Sequence, residues 1–229
     1  MTEALRIAIV GAESTGKTEL AAVLAERLAQ LSGLRVAWVP EILRGWCDAH
    51  GRTPQQHEQA GIVTLQHQQI EAAAVGNDVV VCDTTALMTA VYSHIVFDDG
   101  TLDARAVELH RGMALTLLTA LDLPWVADGL QRDGPQAREP VDTLLRRMLL
   151  DHGLAWSLVG GSGGARLDAA VDAVAPLLRY RSKFENGGET GLFTRLAGRN
   201  AEPAARAWSC EFCDDPACEH RLLQRAEPG

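Results

Sequence analysis

Lysine is nearly missing from this chain: its 229 residues include two, Lys17 and Lys183. Acidic side chains outnumber basic ones by 30 to 21, and the resulting net charge of −9 gives no general attraction to nucleic acid or to an anionic membrane. No nucleic-acid partner is therefore expected, and small-molecule chemistry is the better reading. Long apolar runs are also absent, since none approaches the roughly 20 residues that a bilayer span requires. The opening Met1-Thr2-Glu3-Ala4 lacks the basic-then-apolar layout of a secretory signal, so the expected location is cytoplasmic, with no membrane partner. Cysteine is sparse and odd in number, five in all with three crowded near the C-terminus, which is unlike a secreted disulfide framework. There is no internal repeat and no long low-complexity segment.

What the chain does contain starts at residue 5. Leu-Arg-Ile-Ala-Ile-Val runs directly into Gly11-Ala-Glu13-Ser14-Thr15-Gly16-Lys17-Thr18, the Gly-x-x-x-x-Gly-Lys-Thr pattern of a phosphate-cradling P-loop. Glycines let backbone N–H groups turn inward around a triphosphate, Lys17 reaches the β and γ groups, and Thr18 offers a hydroxyl to Mg²⁺. The context fits the motif: an apolar strand precedes it, and Glu19-Leu-Ala-Ala-Val-Leu-Ala-Glu-Arg-Leu28 follows with apolar positions at helical spacing. ATP and Mg²⁺ are the expected cofactors.

The length, with 47% hydrophobic residues, suits one α/β domain and a modest appendage. Strand-like runs at 5–10, 34–39, 78–82, 114–118 and 155–159 alternate with helical patterns at 17–31, 54–75, 85–95, 103–110, 141–152 and 167–178. That rhythm predicts a three-layer P-loop NTPase sandwich around a parallel five-stranded sheet. After Arg179 the periodicity is lost, so a kinase or NTPase domain is expected over 1–179 and a Cys-rich tail over 180–229.

Ligands of an open parallel sheet gather at the carboxyl ends of its strands. Glu41 and Arg44 follow the second strand and share one face of a short helix beside the P-loop, either as part of a site or as an exposed ion pair. Asp83 ends the apolar run Val79-Val-Val-Cys82, the arrangement that supplies a magnesium-side carboxylate in P-loop enzymes. Past the fourth strand, Arg132 and Arg138 lie in a Gly- and Pro-bearing segment that reads either as a lid closing on the transferring phosphoryl group or as a solvated loop. Gly160-Gly-Ser-Gly-Gly164 lets backbone approach a base or simply turns the chain.

Together, the P-loop, Pro40-Glu41-x-x-Arg44, Cys82-Asp83-Thr84 with Thr89-Ala-Val-Tyr92, and Pro124-Trp125-Val-Ala-Asp128-Gly-Leu130 resemble the ribosylnicotinamide kinase domain of the NadR family, over roughly residues 5 to 178. The resemblance implies a nucleoside-kinase-like fold and ATP-dependent phosphorylation of nicotinamide riboside, or a related nucleoside, on its 5′-hydroxyl. It places Gly11 to Thr18 on the triphosphate and Mg²⁺, Asp83 on the metal or substrate side, and Glu41, Arg44, Trp125 and Asp128 toward the acceptor. Arg132 and Arg138 fall on the lid side. Either Glu41 or Asp83 serves as the base. Trp46, Tyr92 and Trp125 are candidates for stacking on the pyridine ring, with core packing as the alternative. Two departures stand out: only four residues precede the first strand, so no adenylyltransferase domain is expected ahead of the kinase, and Gln131 stands where the pattern leads one to expect Arg.

The tail holds Cys210-Glu-Phe-Cys213 and Cys218-Glu-His220, three thiols and an imidazole that could close a structural Cys₃His zinc knuckle; unliganded or redox-active thiols and an iron–sulfur site are the alternatives. A second class of function also stays open, a regulatory ATPase or GTPase switch whose tail engages a protein partner.

Overall fold

The computed structural model describes residues 3–126 and 134–186. At its centre is the P-loop strand β1 (Leu5–Val10), paired in parallel with β3 (Val79–Asp83) on one side and β4 (Leu115–Thr119) on the other. The edge strands β2 (Val36–Val39) and β5 (Trp156–Val159) complete a five-stranded sheet of order β2-β3-β1-β4-β5. Every pairing is parallel, so both faces must be covered, and the strand interiors read as unbroken apolar runs: Val79 to Cys82 has no exposed surface.

Alternation along the strands assigns the two faces. Ile7, Ile9, Val79, Val81, Leu117 and Val159 pack against α1 (Lys17–Ser32) and α7 (Gly163–Asn186). Ala8, Val10 and Leu118 pack on the opposite face, against α4 (Ala86–Phe97), α5 (Asp103–His110) and α6 (Arg138–Asp151). On that same side Val80 and Cys82 meet Ile70 of α3 (Gln59–Ala74). Asp83 is in register with Val79 and Val81, so the period of two turns its carboxylate toward the α1 face, where the P-loop ends. This three-layer arrangement is the expected one.

Several boundaries differ from those predicted. The helix expected over 54–75 starts as a single 3₁₀ turn, Gln56–Glu58, before α3 begins at Gln59. There the Glu58 carboxylate accepts the Gln55 N–H at 2.7 Å and is forked by Arg52 at 2.7 and 2.8 Å, which holds its pKa down to about 2. The segment after β2 forms α2 (Ile42–His50), with Gly51 as its left-handed C-cap. Helix α6 begins at Arg138, and α7 continues through position 179 to Asn186. Among the described residues, no helix is long and apolar enough to cross a membrane.

Candidate functional site

The P-loop leaves β1 through Gly11, whose φ of +153° is paired with close contact: a Cβ there would overlap the Thr119 hydroxyl at the end of β4. That hydroxyl donates to Thr15 Oγ1 at 2.7 Å, and Thr15 in turn donates to the Ala12 carbonyl at 2.8 Å, so the base of the loop is fastened to the neighbouring strand. Ser14 and Gly16 take left-handed φ values of 57° and 73°, which turns the chain around the space that phosphate would occupy. Lys17 Nζ donates to the Ala12 carbonyl at 2.9 Å across the loop. At the tip, Ser14 Oγ accepts the Val126 N–H at 2.8 Å and lies 3.0 Å from the Val126 carbonyl, which joins the loop to the segment after β4.

An open cleft of about 410 Å³ is lined by Ser14, Thr15, Gly16, Lys17, Thr18, Glu19 and Arg44. Arg44 enters from α2 and its Nε lies 3.9 Å from the Glu41 carboxylate, whose side chain is 11% exposed. Thus the expected triphosphate loop and Arg44 of the expected acceptor pair share one cavity wall, and Glu13 of the loop is buried.

Asp83 is fully buried at the carboxyl end of β3. Neither of its oxygens meets a donor in full hydrogen-bond geometry, although the Thr18 hydroxyl and the Lys17 and Arg44 charges are close enough to act on it. Burial dominates and pushes the carboxyl above its ordinary value, with Thr18, Lys17 and Arg44 opposing. The next residue, Thr84, adopts φ 69°, uncommon for a β-branched side chain, and Thr85 then caps α4. A solvent-free carboxylate with unused acceptor capacity, set beside a threonine hydroxyl, offers hard oxygens suited to Mg²⁺, and Lys17 adds positive charge for a phosphate.

Three features of the site were not anticipated from the sequence. Arg166, at the start of α7, is 4% exposed and donates to the carbonyls of Thr15 and Gly161 while pairing with Asp122. Asp122 also accepts the Gly161 N–H, so the Gly-rich turn after β5 acts as part of a brace behind the P-loop. Gln66 of α3 bonds to the backbone on both sides of Glu41. Thr119 supports the loop from β4. The signal that could have found Gln66 is a polar residue on the apolar stripe Ile62, Val63, Ile70; Arg166 follows a glycine-rich turn with no motif to mark it.

Other expected residues take different places. Trp46 stacks on His50, centroids 3.9 Å apart, and carries the Arg52 guanidinium 4.9 Å from its ring centroid, so its faces serve the protein itself. Tyr92 packs against the α4–α6 core. Arg138 is 8% exposed and donates to the Leu123 carbonyl at 2.9 Å, which ties the start of α6 to the segment after β4. The Trp125 indole N–H is buried and meets no acceptor among the described residues. Asp128 and Arg132 lie outside the described residues, as do Cys210, Cys213, Cys218 and His220. Among the described residues no cluster of His, Cys, Asp and Glu is arranged to hold a metal on its own.

A family described as an AAA domain matches residues 6–166, from β1 to the first turn of α7, and so takes in the whole of this site. The chain belongs to this AAA-domain family. Among solved structures, a NadR protein in complex with NR is similar at TM-score 0.57 and 19% identity, covering 82% of this chain and 52% of that one. A thymidylate kinase from Ehrlichia chaffeensis is similar at TM-score 0.54 and 13% identity, covering 77% of this chain and all of that one. The chain therefore spans about half the length of the NadR structure. No curated protein matches it. At these identities the likeness establishes a P-loop kinase-like fold for this member of the AAA-domain family, with the P-loop in its expected place.

Proposed function

We propose that this protein is an ATP-dependent small-molecule kinase that phosphorylates the 5′-hydroxyl of nicotinamide riboside or a closely related nucleoside. The observation that carries the reading is Asp83: a carboxylate with no exposed surface and no full hydrogen bond, beside Thr18 and Lys17 of a P-loop, is costly to keep unless a ligand completes it. The NR bound to the structurally similar NadR protein, and the Pro124-Trp125 and Pro40-Glu41 elements, support the choice of acceptor.

In this reading the backbone from Gly11 to Thr18 holds the triphosphate and Lys17 turns from the Ala12 carbonyl to the β and γ phosphates. Thr18 and Asp83 would hold Mg²⁺, which when bound offsets the charge on those phosphates. Arg44 lines the cleft and supplies positive charge where the transferring group passes. Glu41, next to Arg44 and on the acceptor side, takes the proton of the attacking hydroxyl as its oxygen bonds to the γ-phosphorus and the bond to the departing ADP breaks. Asp83 is left to the metal because its register turns it to the α1 face. The catalysis is mainly alignment and charge, so a rigid P-loop base matters more than covalent chemistry.

The test is Mg-ATP consumption with a panel of nucleosides led by nicotinamide riboside, with Lys17→Ala as the blank. Mononucleotide formation that depends on Lys17 supports the reading. ADP release that no nucleoside stimulates refutes it and favours a nucleotide switch.

A further inference from the structure

Gln66 sits in the middle of α3, is 2% exposed, and reaches 24 residues back along the chain. Its Oε1 accepts the Ile42 N–H at 2.8 Å and its Nε2 donates to the Pro40 carbonyl at 3.3 Å. Those two backbone groups flank Glu41. The side-chain amide therefore does what a neighbouring strand would do, pairing one donor and one acceptor on either side of a single residue.

The consequence lies in how α2 starts. The first N–H groups of a helix have no intrahelical partner and are usually satisfied by the side chain at the N-cap. Here the N-cap is Glu41, in extended conformation with φ −67° and ψ 115°, and its side chain makes no cap hydrogen bond. Gln66 satisfies the Ile42 N–H, the first of those donors, from another helix, and the Glu41 carboxylate, which makes no cap bond, lies 3.9 Å from Nε of Arg44, which lines the cleft. Because Gln66 is packed within α3, which lies against β2 and β3, the carboxylate is referenced to the sheet that also carries the P-loop and Asp83.

We infer that Gln66 is a positioning residue for Glu41: by clasping the backbone at Pro40 and Ile42 it sets where the carboxylate meets the phosphoryl acceptor. This rests on the kinase reading above. Misplacing a base by about 1 Å can cost on the order of 100-fold in rate. Gln66→Leu removes both bonds at similar volume, whereas Gln66→Glu keeps the acceptor for Ile42.

Steady-state kinetics and amide exchange test this together, using the acceptor that the nucleoside panel identifies. Gln66→Leu is expected to lower kcat by roughly 10- to 100-fold while KM for Mg-ATP changes less than about 3-fold, and Gln66→Glu should recover part of the loss. In a Glu41→Gln background, Gln66→Leu should add less than about 3-fold, since a residue that acts through another has nothing left to act on. Exchange of the Ile42 amide should quicken in Gln66→Leu by at least about 10-fold. Losses that multiply in the double variant, or a raised KM for Mg-ATP with kcat intact, would overturn the role and leave the kinase reading standing. Unchanged Ile42 exchange in Gln66→Leu would overturn the clasp whatever the activity, and if Gln66→Leu does not fold, Gln66→Met, which also removes both bonds, carries the same comparisons. Wild-type protein inert toward every nucleoside would remove the kinase reading and this role with it.

Discussion

Acidification offers a quantitative check on how the buried contact between α5, α4 and β4 is built. His110, at the end of α5, is 1% exposed and bridges two threonines, with Nδ1 2.9 Å from Thr85 Oγ1 and Nε2 2.7 Å from Thr116 Oγ1. Burial lowers its pKa from 6.5 to about 4. In the unfolded chain the same imidazole takes up a proton below about pH 6.5, so between pH 6.5 and 4 the unfolded state binds more protons and stability falls as the solution is acidified. Below pH 4 both states are protonated and the effect levels off. At about 1.4 kcal/mol per pKa unit, the full depression is worth about 3 kcal/mol, a large part of the 5–15 kcal/mol typical of a domain. Urea unfolding of wild type and His110→Gln at steps from pH 7.5 to 4 isolates this residue, because the other titrating groups are common to both proteins. The wild-type curve should lose about 3 kcal/mol more than the variant over that window, equivalent to a melting-temperature difference of roughly 6–12 °C. Parallel curves, differing by under about 0.5 kcal/mol, would refute the reasoning.

Gly11→Ala should cost about 1–3 kcal/mol of stability and sharply weaken ATP binding, because the new methyl group meets the Thr119 hydroxyl that fastens Thr15; unfolding curves and nucleotide titration would show both. Asp83→Asn should reduce turnover by two orders of magnitude or more with little loss of ATP affinity, and should stabilise the ligand-free protein, since a charge held without a full hydrogen bond is removed. Because burial raises the Asp83 pKa, turnover of Mg-ATP should fall as pH drops through a value above the ordinary aspartate range, and Asp83→Asn should remove that step from the pH–rate profile. Protein purified without chelator should contain one zinc per chain if Cys210, Cys213, Cys218 and His220 form a knuckle; elemental analysis at zero zinc would remove that site.

Local physics makes the centre of this protein readable along the chain. A P-loop is a contiguous segment whose glycines, lysine and threonine each do their work within eight residues, and strands buried in a parallel sheet leave mainly apolar runs between helical patterns, so sheet, layers and nucleotide loop followed from the order of residues alone. Asp83 was legible for the same reason, as the first charge after such a run. What the chain order could not express were bonds between residues far apart in it: Gln66 reaching Glu41's flanks, Arg166 bracing Thr15 from 151 positions away, and Thr119 filling the space that Gly11 leaves open. Trp46 went the same way, since whether an aromatic face serves a ligand or the protein depends on what else packs there, here His50 and Arg52. Contiguous motifs and periodic burial are written along the chain, whereas the choice among possible partners for a long polar side chain is made only when folding brings the candidates into one place.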